Sequence, residues 1–196
     1  MKTKELLMVS LLLFGVCSAY AKKQKSITEE EKIMLEEING KYEFNATGDI
    51  EITKIMEFPN VSQDVLFVNA SAWAHNHHRP NSNYHPTVAD DVTYKNINIT
   101  GEFNLENRDV LDMAYGSKGS TDYSMNIKVK DGKLMVKISP LTNSAMVVLG
   151  FGGAKTLTLR EIYPINKEKE YNRKELNVVY RAIMDSYKTI DLLETY

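Results

Sequence analysis

"YSMNIKVKDGKLMVKISP", residues 123–140, decides how this chain folds. Tyr123, Met125, Ile127 and Val129 alternate with Ser124, Asn126 and Lys128, and Leu134, Val136 and Ile138 alternate with Met135 and Lys137. A period of two is the mark of a strand with one buried and one wet face. Asp131-Gly132 lies between the two runs, and Asp-Gly flanked by alternating hydrophobics is a strong hairpin signal. The fold must therefore contain an antiparallel sheet with an apolar side that something else covers. Pro140 is expected to close the second strand, because proline cannot donate to a ladder.

The neighbouring stretches extend this pattern. Val92, Tyr94, Ile97, Ile99, Phe103 and Leu105 read as one long strand or a bent pair, with Gly101 as a bulge. Val110–Tyr115 and Lys155–Ile162 read as further short strands. Upstream, Tyr42–Phe58 is one strand, or two broken at Thr47-Gly48-Asp49, and Pro59 stops it. Three helices provide the cover. Ser26–Ile38 starts with Thr28 and Glu31 in capping-box spacing. A second runs from about Gln63 to about Asn76, with Ser62 as N-cap, Asp64 in the first turn and Val61 opposite Leu66 as a staple. The last runs from about Asn172 to Leu192, where Leu176, Val179, Tyr180, Ile183, Tyr187 and Ile190 form one stripe. The fold class is α+β: a curved antiparallel sheet of about four to six strands with helices packed on one face, plus a C-terminal helix.

The first 21 residues have a different character. Lys2 and Lys4 precede an apolar run, Leu6–Val16, and Ala19-Tyr20-Ala21 offers small residues for a cut after Ala21. That is the layout of a secretory signal peptide, and the run is too short to span a bilayer. The expected location is periplasmic or extracellular. The alternative is a lipid anchor on Cys17, for which Phe14 and Val16 are poor neighbours. Cleavage after Ala21 leaves 175 of the 196 residues, with 22 basic and 25 acidic side chains and no cysteine. Thiol chemistry and disulfides are then excluded. A weakly acidic chain also lacks the charge to seek nucleic acid. No later stretch reads as a transmembrane segment.

"IEITKIMEFPNVSQDVLFVNASAWA", residues 50–74, resembles a family of secreted proteins from gut bacteria in which a strand leads into a "P-x-x-S-x-D/E-x-L/V" helix start with a tryptophan further on. Pro59, Ser62, Asp64, Leu66 and Trp73 carry the likeness, and Ala74 stands where members often place a second large aromatic. "GEFNL" (Gly101–Leu105) and Tyr123–Asn143, with its Asp-Gly-Lys hairpin, resemble the family's second half. The resemblance spans about Ile50 to Asn143. It implies a domain of unknown function with a fold like that of the TATA-binding protein (TBP). Together with the pattern outside that span, four parts are expected: signal peptide 1–21, polar leader and short helix 22–41, TBP-like domain 42–144, and a C-terminal extension 145–196 whose helix packs on the same core. A fold name is not a function. The DNA-bending factor uses a basic sheet with wedging aromatics, and this acidic chain has no such stripe.

All four histidines lie between residues 75 and 85. His75 and His78 stand at i and i+3, close enough to share a metal, and His85 could return from the loop as a third ligand. The competing reading is a helix C-terminus where imidazoles complement the dipole. No H-E-x-x-H, G-x-S-x-G or P-loop pattern is present. Asp90-Asp91 should point to opposite faces of a strand, which argues against a shared proton. No cofactor fingerprint occurs. The expected function is that of an exported, non-catalytic envelope protein that binds a ligand or protein partner. The alternatives are a histidine-dependent metal protein, possibly hydrolytic, and a structural or interaction module.

Overall fold

The computed structural model describes residues 27–80, 85–103, 117–145, 155–159 and 173–196. The elements in chain order are α1 (Glu29–Ile38), β1 (Glu43–Phe44), β2 (Ile50–Glu57), α2 (Gln63–His77), β3 (Thr87–Asp91), β4 (Asn96–Phe103), β5 (Ser117–Lys130), β6 (Lys133–Ala145), β7 (Lys155–Thr158) and α3 (Arg173–Glu194). The seven strands form one sheet, in the order β1-β2-β6-β5-β4-β3, with β7 paired to the end of β6. Every pairing is antiparallel. The hairpin read from residues 123–140 is its centre.

Rows of facing residues show how the sheet is filled. Ile52, Ile138, Met125, Ile99 and Val88 stand side by side across β2, β6, β5, β4 and β3. The next row is Lys54, Val136, Ile127, Ile97 and Asp90. Its three central side chains are fully buried, and its two charged ends reach out to the helices. Lys54 pairs with Asp191 (3.0 Å) and Glu194 (2.7 Å) of α3. Asp90 accepts from Ser71 (2.7 Å) and contacts His75 (3.0 Å), both on α2. One row thus pins a helix at each end. The helices cover this face, α2 over β5, β4 and β3, α3 over β2 and β6, and α1 against α3.

Each helix forms for local reasons. Thr28 and Glu31 close a capping box on α1. Ser62 accepts from the Val65 N–H at the start of α2, which satisfies one of the four donors a helix leaves open. Leu66, Phe67, Ala70, Trp73 and Ala74 are the buried face of α2. On α3, Leu176, Val179, Ala182, Ile183, Ser186, Ile190 and Leu193 are buried. Tyr180 and Tyr187 flank that stripe and spend their hydroxyls on Glu37 and on the Lys41 carbonyl.

Three local expectations are corrected. Val92 and Tyr94 are 62% and 80% exposed and belong to the turn between β3 and β4, while the strand lies earlier, at Thr87–Asp91. Gly101 is not a bulge; β4 pairs with β5 in unbroken register through it. Pro140 does not end its strand, since β6 continues to Ala145. The bulge is here instead. Tyr123 faces Leu141 but Met125 faces Ile138, so Ser139 and Pro140 together oppose Ser124. A bulge leaves one residue outside the ladder, which is where a proline without an N–H is tolerated. Val110–Tyr115 lies outside the described residues.

The Asp131-Gly132 turn also anchors α2. Phe58 N–H donates to the Gly132 carbonyl (2.7 Å), Gly132 N–H to the Val61 carbonyl (2.9 Å), and Gln63 N–H to the Asp131 carboxylate (2.9 Å). Gly132 has φ +66°, and an added Cβ would sit 3.3 Å from the Phe58 oxygen. Gly132→Ala is therefore expected to cost about 1–2 kcal/mol, the penalty of a left-handed L-residue, read as a shift in urea midpoint at unchanged slope.

Candidate functional site

The histidines do not converge. His75 is exposed and pairs with Asp90. His77 stacks on Trp73 (5.2 Å between centroids), and its Nδ1 lies 3.1 Å from the Trp73 carbonyl. His78 is buried, at 6% exposure, as the C-cap of α2. Its Nδ1 is 2.9 Å from the Ala74 carbonyl, and its Nε2 is 2.6 Å from the Tyr123 hydroxyl. A carbonyl only accepts, so Nδ1 carries the proton and Nε2 accepts from Tyr123. Burial lowers the His78 pKa most strongly, the Ala74 bond opposes that, and the neighbouring His77 adds to the lowering. His78 is thus a neutral imidazole that joins a helix end to the sheet. The rings of His77 and His78 satisfy carbonyls of the last turn, which is how a helix C-terminus uses such side chains. Among the described residues, no group of three or more His, Cys, Asp or Glu side chains is placed to hold a metal ion.

Ser71, Asp90 and His75 come together, a grouping that the sequence reading missed because the three lie on two elements. The carboxylate is in the middle: it takes the Ser71 hydroxyl and the His75 ring. A nucleophilic relay needs the imidazole in the middle, between hydroxyl and carboxylate. This grouping is a clamp between α2 and the edge strand. Asp91 points the other way and accepts from the Tyr94 N–H (3.0 Å), as alternation along the strand requires.

The helix-free face carries the sheet's polar residues. Asn126 donates to both Asn96 (2.8 Å) and Asn98 (2.7 Å), and Glu57 and Glu51 pair with Lys133 and Lys137. Beside the bulge this face opens into a cavity of about 330 Å³. Two rows of the pleat supply its floor. Thr100 faces Ser124 across β4 and β5, and Glu102, Asp122 and Thr142 stand abreast on β4, β5 and β6. Pro140 and His85 also line the space, together with Gly101 and Tyr123. The Tyr123 ring lies on the buried side, stacked on Phe103 (4.3 Å) and bound to His78. His85 is the one histidine that borders this space. Sequence reasoning missed the cavity because its polar residues look like ordinary solvent-facing alternation.

No helix among the described residues is long and apolar enough to cross a membrane. No curated protein matches the chain. Two solved structures are similar in fold. A TBP-like protein from Parabacteroides distasonis aligns with a TM-score of 0.55 at 15% identity, over 74% of this chain and 92% of its own. A DUF4468 family protein from Bacteroides ovatus aligns with a TM-score of 0.55 at 14% identity, over 80% and 92%. Residues 53–143 match the family model described as a domain of unknown function (DUF4468) with TBP-like fold. That segment holds most of β2, all of α2, the edge strand, β4 and most of the central hairpin, and so it is this part of the chain that is similar to the DUF4468 family, while the fold as a whole is TBP-like.

Proposed function

We propose that this chain is an exported, non-catalytic binding domain of the cell envelope that works through the helix-free face of its sheet. The observation that carries the reading is the cavity of about 330 Å³ beside the β6 bulge. Its size reaches the range of ligand pockets, about 300–1,000 Å³, and bulges are over-represented next to such sites. The helices on the opposite face take up the apolar surface, so this face is left for recognition. Two features support the non-catalytic part. The Ser71–Asp90–His75 grouping has the wrong order for a relay, and both nitrogens of His78 are engaged within the fold.

Export rests on the layout of Met1–Ala21. Mass spectrometry of the protein from its native cell tests it directly. The expected N-terminus is Lys22. A diacylglycerol adduct on Cys17 would place the chain on a membrane surface, and an intact Met1 would end the export reading.

A further inference from the structure

We propose that the hairpin half of the helix-free face binds an acidic polysaccharide, a chain that offers both carboxylates and hydroxyls. This rests on the reading of that face as the recognition surface and gives it a partner class. Charge carries the argument. Lys128 and Lys130 on β5 lie beside Lys133 and Lys137 on β6, with Lys130 directly opposite Lys133. Lys133 and Lys137 are paired with Glu57 and Glu51 (both 2.8 Å). Lys128 and Lys130 are exposed, and among the described residues no carboxylate pairs with either. Asp91 gives its carboxylate to the Tyr94 N–H, and Asp131 gives its own to the Gln63 N–H at the start of α2. Glu102 and Asp122 stand six residues further along β4 and β5 than Asn96 and Lys128. At a strand's rise that is about 20 Å, well beyond the roughly 8 Å over which exposed charges act in physiological salt. The complement of the hairpin half is therefore an anion. Side-chain amides lie next to the lysines. Asn126 faces Lys137 on one side and Asn98 on the other, and it donates to the oxygens of Asn96 and Asn98. The amide N–H groups of Asn96 and Asn98 are thereby left to meet the oxygens of a ligand's hydroxyls. Two other partners fit less well. Single-stranded nucleic acid wants aromatic side chains on which bases stack, and the outward strand positions of this half hold none. A protein partner wants a charge-poor centre with aromatic anchors, whereas lysine and asparagine make up the centre here.

Calorimetry on the full mature chain tests the class with four probes: polygalacturonate, dextran as its neutral counterpart, poly-L-glutamate and a single-stranded oligothymidylate. Polygalacturonate is expected to bind best, and to weaken as salt rises from about 0.05 M to about 0.5 M, because the lysines are exposed to screening. Dextran should not bind. Lys128→Gln/Lys130→Gln removes both unpaired charges and is expected to weaken polygalacturonate about tenfold, the worth of two exposed ion pairs. Lys128→Arg/Lys130→Arg should restore the affinity, and Glu102→Gln, at the other end of the face, should leave it unchanged. Equal melting temperatures of these variants show that a loss is not misfolding. Dextran bound as tightly as polygalacturonate would overturn the role of charge. Tighter binding of poly-L-glutamate or of the oligothymidylate would overturn the polysaccharide class in favour of an acidic peptide or a nucleic acid. No binding of polygalacturonate would overturn the assignment of this patch, and so would binding that Lys128→Gln/Lys130→Gln leaves unaltered. A loss in Glu102→Gln alone would move the site to the cavity, which keeps the face as the recognition surface, and the N-terminal mass still decides export on its own.

Discussion

Trp73→Ala is expected to lower the unfolding free energy by about 3–5 kcal/mol, the usual cost of emptying a buried aromatic site. For a chain of this size that corresponds to a fall in melting temperature of roughly 6–20 °C. Trp73 is fully buried, with His77 stacked on one side and the edge of His78 against it at 5.4 Å. It joins the core cluster that holds the inner residues of β4, β5 and β6. Its indole N–H makes no hydrogen bond, so part of the gain from burying the ring is offset by an unsatisfied donor, a cost of about 1–3 kcal/mol. Trp73→Phe therefore loses volume and at the same time removes that donor. It is expected to cost less than half of what Trp73→Ala costs. Urea denaturation followed by far-ultraviolet circular dichroism measures both. A Trp73→Ala loss below about 1 kcal/mol would mean that α2 is not held on the sheet by this ring.

The second large effect belongs to the His78–Tyr123 pair, and it depends on pH. The folded-state pKa of His78 is lowered, with burial as the main cause. Below an ordinary imidazole value of about 6.5 the unfolded chain takes up a proton that the folded chain refuses. Stability from this group is thus complete above that value and declines as pH falls toward the folded pKa, with a slope of at most about 1.4 kcal/mol per pH unit. Tyr123→Phe keeps the ring stacked on Phe103 but leaves the buried Nε2 without its donor. The expected cost at pH 7.5 is about 1–3 kcal/mol. Denaturant midpoints between pH 7.5 and 5 in wild type, Tyr123→Phe and His78→Gln check this. The wild-type decline should shrink in His78→Gln, where no imidazole remains at that position. An equal decline in all three proteins would assign the pH dependence to other groups.

The elements that were legible in the sequence are those fixed by local rules. Alternation around Asp131-Gly132 gives the central hairpin, and the Thr28 and Ser62 caps give two helix starts, because period, turn and cap are all set within a few residues. The edge strand Thr87–Asp91 was not legible. Its sequence, TVADD, has little apolar signal, and β4 alone holds it by backbone pairing while α2 covers its inner side. Pro140 misled for a related reason. A proline ends a strand only if the ladder needs its N–H, and whether a bulge absorbs it is decided by the pairing of β5 with β6. The histidines show the same limit. Spacing at i and i+3 shows that His75 and His78 can meet; only the packing shows that one reaches the edge strand while the other turns under Tyr123. The cavity is less legible still, because its floor depends on the register of three strands and on the bulge between β5 and β6, which local alternation does not reveal.

Strand β7 adds onto β6 beyond the end of β2, and α3 lays Leu176, Val179, Ile183 and Ile190 into the same core as Ile52 and Ile138. A polypeptide cut back to residues 53–143 would keep most of the hairpin and lose the helix over the β2 and β6 part of its oily side. The boundary drawn by family likeness thus falls inside the packed core. A piece that keeps this apolar side covered has to extend to the final helix.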